Sequence, residues 1–328
     1  MTLSPSSAGT PPDRSASKNA VRSPTGLSYP WRTRAAAWAI QADIAAARTI
    51  GDLRAAGCRP ILLKGPAIAE WLYPGEFRPY TDVDLMVSPH DWSAAEAVLT
   101  AAGYHHRTSD GWFPEQPLPH ADPWSRGDEP KIDLHRSLHF VADAEAAWEA
   151  VSAGTASILV AGVEAEIPGV TARTLHIALH AVRSGPFLVK PQSDLERAIR
   201  AVPTPTWQSA ADLARQLGCL GEFAAGLSAI PEGAGVADQI GVGQVKSSVA
   251  SAVRLGLGEP FARTVSSQLS LTKKARYVAR KLVPPGGYLT IADPLAGRGG
   301  LWRLVARVRR PAVVTRRMFA ARRHSARG

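Results

Sequence analysis

Asp82-Val83-Asp84-Leu85-Met86-Val87 is the stretch whose reading decides the fold. Its length and apolar, β-branched content predict a strand. Strand side chains alternate between faces, so Asp82 and Asp84 project together while Val83, Leu85 and Val87 enter a core. Two carboxylates thereby share one spot. Like charges that close repel unless a cation lies between them, and a hard divalent ion with oxygen ligands meets that need. The same pattern also occurs on solvated strand ends, so the flanking sequence has to decide.

Upstream, Pro60-Ile61-Leu62-Leu63-Lys64 is a short apolar run that ends at Gly65-Pro66, after which Ala67 to Leu72 reads as helix. Backbone N–H groups at such a strand-to-helix turn can cradle phosphate, and Lys64 would add a positive charge. A structural glycine turn with a lysine reaching for solvent is the plainer alternative. Downstream, Lys131-Ile132-Asp133-Leu134-His135 alternates in the same way. Asp133 on a neighbouring strand would complete a two-metal site that activates a hydroxyl and stabilises leaving pyrophosphate; otherwise it is an exposed carboxylate on an edge strand.

Further elements follow from periodicity and breakers. Trp31 to Ala56 is an Ala-rich helix with Ala37, Ile40, Ile44 and Ile50 at near-helical spacing, stopped by Gly57. Trp92 to Ala102 reads as a helix, Tyr104 to Arg107 as a short strand, and the Pro-rich stretch from Ser109 to Pro130 as a loop. Lys131 to Leu138 is a strand, and Ala156 to Val160 with Val163 to Ile167 form a hairpin across Ala161-Gly162. Beyond residue 168 the signal is helical, at Ala172 to Ser184, Asp194 to Ala201, Trp207 to Leu217 and Gly221 to Ile230. Strands mixed with helices, then helices alone, predict an α/β (α+β) domain followed by a helical one.

The chain has 328 residues, 45% of them hydrophobic, enough for a sizeable core and two packed units. Residues 1–28, rich in Ser, Pro, Thr and Gly, read as a disordered tail. Residues 29–168 form the mixed domain, 169–260 the helical one, and 261–328 a basic C-terminal segment. Cys58 and Cys219 are the two cysteines, far apart, which excludes a disulfide framework or a cysteine zinc site and leaves two buried small side chains. No run of eighteen apolar residues and no secretory signal is present, so the expected location is cytoplasmic.

Net charge is +10, but it is uneven. From Pro260 onward sixteen Lys and Arg face one acid, Asp293, whereas the first 259 residues carry 22 basic and 27 acidic side chains. An anionic partner is therefore an expectation for the C-terminal segment rather than for the active region. There, Leu301, Trp302, Leu304, Val305 and Val308 alternate with arginines before Pro311. Such a stretch suits a membrane surface, an RNA backbone or an acidic protein, and also a plain solvated helix.

Other candidates are less specific. Arg78, in a Pro-flanked loop before Asp82, is placed to reach a triphosphate oxygen, or is a surface arginine. His176 and His180 stand at i and i+4 of an otherwise apolar helix, which favours packing or hydrogen bonding. His105, His106, His120 and His139 show no coherent ligand pattern.

Taken in order, Leu63-Lys64-Gly65, Arg78, Asp82-Val83-Asp84-Leu85-Met86-Val87, a helix ending at Gly103-Tyr104, and Asp133-Leu134-His135 resemble the uncharacterised bacterial nucleotidyltransferase family of the DNA-polymerase-β-like superfamily. The resemblance spans roughly residues 35 to 260. It implies a polymerase-β-like domain with a mixed sheet in which Asp82, Asp84 and Asp133 hold Mg²⁺ or Mn²⁺, two ions together. It also implies an NTP substrate held at Gly65, where the superfamily's Gly-Ser turn begins. Lys190 and Asp194 resemble a Lys and Asp that related enzymes place beside the nucleotide. One departure stands out: Pro66 follows Gly65 where Ser is usual, so the phosphate grip shifts to Lys64 or other groups. The implied activity moves a nucleoside monophosphate to a hydroxyl or phosphate of a peptide or small molecule. A toxin-like enzyme acting on transfer RNA and a non-catalytic nucleotide-binding module are the alternatives.

Overall fold

The computed structural model describes residues 31–106, 120–184, 189–254, 270–282 and 299–309. The expected tail at 1–28, part of the Ser109 to Pro130 stretch, and the chain from 310 onward lie outside the described residues. Among the described residues, seven strands form one mixed sheet. They are β1 (Ile61–Leu62), β2 (Asp82–Met86), β3 (His105–His106), β4 (Ala121–Ser125), β5 (Lys131–His135), β6 (Ala156–Val160) and β7 (Val163–Ile167), ordered β3-β4-β5-β2-β1-β7-β6. β2 runs parallel to β5 and β1 parallel to β7, while the remaining neighbours are antiparallel. The hairpin of β6 and β7 turns at Ala161 and Gly162, both with positive φ, as that tight connection demands.

Helix α1 (Trp31–Ala55) covers one face of the sheet together with α3 (Trp92–Ala101). Its buried side differs from the one its isoleucines suggest. Ile40 and Ile44 are 60% and 54% exposed, while Ala39, Ala42, Ala45, Ala46, Ile50 and Leu53 face inward. Small alanines let the helix backbone approach the sheet closely, so the tighter face wins over the bulkier one. Val83, Leu85 and Val87 meet it from β2, as strand alternation requires.

The opposite face carries α5 (Val170–Ser184), α6 (Val189–Ala201), α7 (Thr204–Gln216), α8 (Leu220–Leu227), α9 (Pro231–Gln239) and α10 (Ser248–Arg254). One core cluster runs without a break from Ile61, Leu63 and Met86 of the sheet to Leu175, Leu179, Trp207, Phe223 and Val253 of the helices. Trp207 is 1% exposed, and truncating it to Ala would cost roughly 3–5 kcal/mol. α5 and α8 cross so closely that any Cβ on Gly226 would overlap the Ala178 carbonyl. A further helix spans Leu271–Leu282, and residues 300–309 are helical. Among the described residues, no helix is long and apolar enough to cross a membrane.

β4, α4 (Ala144–Ser152), α9, α10 and the helix at Leu271–Leu282 all depart from the sequence reading. β4 lies inside the Pro-rich stretch read as loop. Pro123 removes a donor, yet Asp122 and Trp124 alternate inward and the strand pairs with β5 from Ala121 to Trp124. The recorded pairing with β3 reaches only Trp124 and Ser125, so Pro123 has no β3 partner among the described residues. α4 is capped by Asp143, whose carboxylate accepts the Ala146 N–H at 3.1 Å.

Candidate active site

Asp84 and Asp133 are register partners on parallel β2 and β5, and Asp82 stands two residues earlier on the same face. Asp84 is 3% exposed; Asp82 and Asp133 are half-buried. The Leu63 N–H donates to the Asp84 carbonyl at 2.9 Å, which brings the end of β1 alongside this pair. Lys64, the next residue, then places its Nζ 2.5 Å from Asp84 Oδ1, and His135 Nε2 lies 3.0 Å from the same oxygen.

These contacts divide the protonation behaviour of the two aspartates. Burial works to raise the Asp84 carboxyl, but the Lys64 charge and the His135 hydrogen bond outweigh it and hold it well below the ordinary carboxylate range. Asp133 moves the other way: burial raises it, and the Asp84 charge adds to the rise. Crowded carboxylates of this kind present oxygen donors suited to a hard divalent cation. Their oxygens are not drawn together in this geometry. Among the described residues, the group whose ligand atoms all lie within 4.8 Å of one another is Glu96, His106 and Asp122, not the three aspartates. Lys64 and His135 both contact Asp84 Oδ1, so that oxygen is already engaged by two partners.

Gly65 caps α2 (Pro66–Leu72) with φ 64° and ψ −118°, a conformation available to glycine and strained for other residues. Its carbonyl accepts the N–H groups of Ile68 and Ala69 at 3.3 and 3.0 Å, and Pro66 has none to offer. Little donor capacity remains in this first turn, so Lys64 is its main cationic group.

Arg78 and Asp194, expected to contact nucleotide separately, face each other. Arg78 Nε and Nη2 donate to the Asp194 carboxylate at 2.8 and 2.6 Å, and the Tyr73 hydroxyl donates to it at 2.8 Å. Arg78 is 2% exposed, so it is not a surface arginine. Its Nη1 is buried without a hydrogen-bond partner. Lys190 joins the same region: burial lowers its pKa, Arg78 lowers it further, and Asp82, Asp194 and Asp84 act against this. Lys64, Arg78, Lys190, Asp82, Asp84, Asp133 and Asp194 therefore form one electrostatic neighbourhood drawn from β1, β2, β5, α6 and the loop before β2.

A cluster of imidazoles, unforeseen from the sequence, backs this neighbourhood. His139 lies with ring centroids 3.7 Å from His120, 6.0 Å from His180 and 6.5 Å from His176, and His120 is 5.4 Å from His135. Loss of hydration keeps His120, His139 and His180 well below the ordinary histidine value and lowers His176 to about 3, with Lys64 reinforcing each shift. The packing role read for His176 and His180 fits this neutral state. Their spacing was the sole sequence signal, because the other members come from separate elements. Cys58 and Cys219 are free and buried, as expected.

The family described as "Uncharacterised nucleotidyltransferase" matches residues 18–232, well over half of the chain and including every residue of this neighbourhood. The chain belongs to that family. It is accordingly a nucleotidyltransferase, an enzyme of mixed α/β fold. A solved structure of the antibiotic-resistance factor ANT(2'')-Ia aligns with a TM-score of 0.40 and 17% identity, over 54% of this chain and 96% of that one. A search of curated proteins finds no match.

Proposed function

We propose that the chain transfers a nucleoside monophosphate from an NTP to a hydroxyl or phosphate of a peptide or small-molecule acceptor, with Asp82, Asp84 and Asp133 holding divalent metal. The observation that carries this reading is the side-by-side register of Asp84 and Asp133 with Lys64 paired to Asp84. The donor set fits a hard cation: three carboxylates on one sheet face, one of them with its pKa raised by burial and then by its charged neighbour. Mg²⁺ or Mn²⁺ bound there would polarise the triphosphate and lower the pKa of the attacking hydroxyl.

The chain's own groups do the rest. Lys64 exchanges its contact with Asp84 for one with a phosphate oxygen as substrate enters. Lys190 and Arg78 Nη1 supply further positive charge on the α6 side, and Asp194 orients the Arg78 fork. Residues 169–260 cover the nucleotide and acceptor. The basic segment at 261–328 serves as a contact for an acidic partner or membrane surface, since Leu301, Leu304 and Val308 are exposed beside Arg303.

The test is incubation of purified protein with each labelled NTP, Mg²⁺ and fractionated cell extract. Label in a peptide or small-molecule fraction supports the reading. Label confined to RNA replaces the acceptor class, and no label in any fraction with any NTP overturns the proposal.

A further inference from the structure

On the face of the sheet opposite to Asp84, three side chains converge from separate elements: Glu96 of α3, His106 of β3 and Asp122 of β4. The opposite placement follows from register, because Asp122 pairs with Leu134, which alternates with Asp133 along β5. One ligand atom from each of the three lies within 4.8 Å of the others.

His106 Nε2 is 3.3 Å from Asp122 Oδ2, yet the two form no hydrogen bond, and Nε2 is buried without another partner. Ligand atoms bound at 2.0–2.2 Å around a tetrahedral ion sit about 3.4 Å apart, so this ion-pair spacing also leaves the two atoms placed to share one ion. His106 stacks on Trp124 with centroids 5.0 Å apart, which fixes its ring plane. Arg136 donates to Asp122 Oδ2 at 2.5 Å and lies over the Trp92 ring at 3.9 Å, which orients the carboxylate.

We propose that Glu96, His106 and Asp122 bind a borderline divalent transition metal such as Zn²⁺ or Mn²⁺, separate from the nucleotide site, joining the short strand β3 to β4 and α3. One nitrogen and two carboxylates form a donor set that suits such ions better than Mg²⁺. The ion is a tether, since it unites three elements and lies across the sheet from the carboxylates of β2.

Co²⁺ is the probe, because its visible bands report a nitrogen- and oxygen-liganded ion without reference to activity. Full-length protein, the Asp82→Asn/Asp133→Asn double variant, His106→Gln and Glu96→Gln are titrated with Co²⁺, and folding is checked by circular dichroism. Wild type and the double aspartate variant are expected to develop the same bands, with affinity at least tenfold weaker in His106→Gln and Glu96→Gln. Zn²⁺ should raise Tm in the first pair and leave the second pair unchanged. Absence of bands in wild type overturns the site and leaves an imidazole–carboxylate network only. Bands that vanish in the aspartate variant but survive in His106→Gln overturn it equally.

Discussion

Arg78 and Asp194 lock the loop before β2 to α6 through two hydrogen bonds, at 2.8 and 2.6 Å, with both side chains almost wholly enclosed. Removing one member of such a pair strands the other charge away from water. Arg78→Ala is expected to lower stability by about 3–5 kcal/mol. Arg78→Lys should recover only part of it, because an ammonium cannot reproduce the fork. Urea unfolding of the three proteins decides; an unchanged midpoint for Arg78→Ala would show that the pair contributes nothing.

Asp84 and Asp133 should respond in opposite directions to the same substitution. Asp133→Asn removes a crowded charge and is expected to leave stability unchanged or slightly higher. Asp84→Asn takes the partner from Lys64 and His135 and should cost about 3 kcal/mol. Both should lose at least a hundredfold in turnover, and the double variant little more, if the carboxylates act as one unit. Melting curves beside turnover assays check this. Near wild-type turnover in Asp133→Asn removes it from the site.

Lys64→Ala separates two roles of one ammonium. Without it, Asp84 loses its nearest cation, so Mg²⁺ should bind the nucleotide-free protein several-fold more tightly. NTP should bind at least tenfold more weakly, because the charge that meets the phosphates is gone. Calorimetry with Mg²⁺ alone and then with NTP reads both; weakened binding of each would show that Lys64 merely supports the fold.

The imidazole cluster makes stability depend on pH. His120, His139, His176 and His180 have folded pKa values below the unfolded value, so the unfolded chain binds more protons below about pH 6.5. Stability is therefore full above that value and falls as pH drops through it, by about 1.4 kcal/mol per pH unit for each proton taken up. Lys64, Arg183 and His135 oppose protonation of the cluster, while Asp84 weakly favours it at His176 and His180. The window from pH 6.5 to 5 lies above the range where Asp84 titrates, so the loss there belongs to histidine. Tm measured from pH 7.5 to 5 should decline steeply, and His139→Gln/His180→Gln should flatten the curve. A flat wild-type profile refutes the assignment.

The placement of the candidate carboxylates was legible because it rests on strand alternation. Asp82, Asp84 and Asp133 could be placed on one face from residue order alone, and Lys64-Gly65 next to them from the turn. What escaped was long-range partnership. Nothing local in the sequence says that Arg78 spends its fork on Asp194, or that Lys64 reaches Asp84 rather than solvent. The histidines fared likewise: His176 and His180 share a helix face, but His120, His135 and His139 join them only through tertiary packing. β4 was hidden by Pro123, whose propensity against strand was overridden by the burial of Asp122 and Trp124. On α1 the volume of Ile40 and Ile44 misled, because closeness of approach, not side-chain size, chose the inward face.

The parallel pairing of β2 with β5 also governs when, during synthesis, Asp84 and Asp133 come together. Parallel neighbours need a long crossover, so Asp84 and Asp133 meet only after the intervening chain, including α3 and β4, has been made. A nascent chain that has released β2 from the ribosome holds two aspartates and a lysine but no third carboxylate. The meeting of Asp84 with Asp133 thus waits for β5, and that of both with Lys190 and Asp194 for α6, further along the chain.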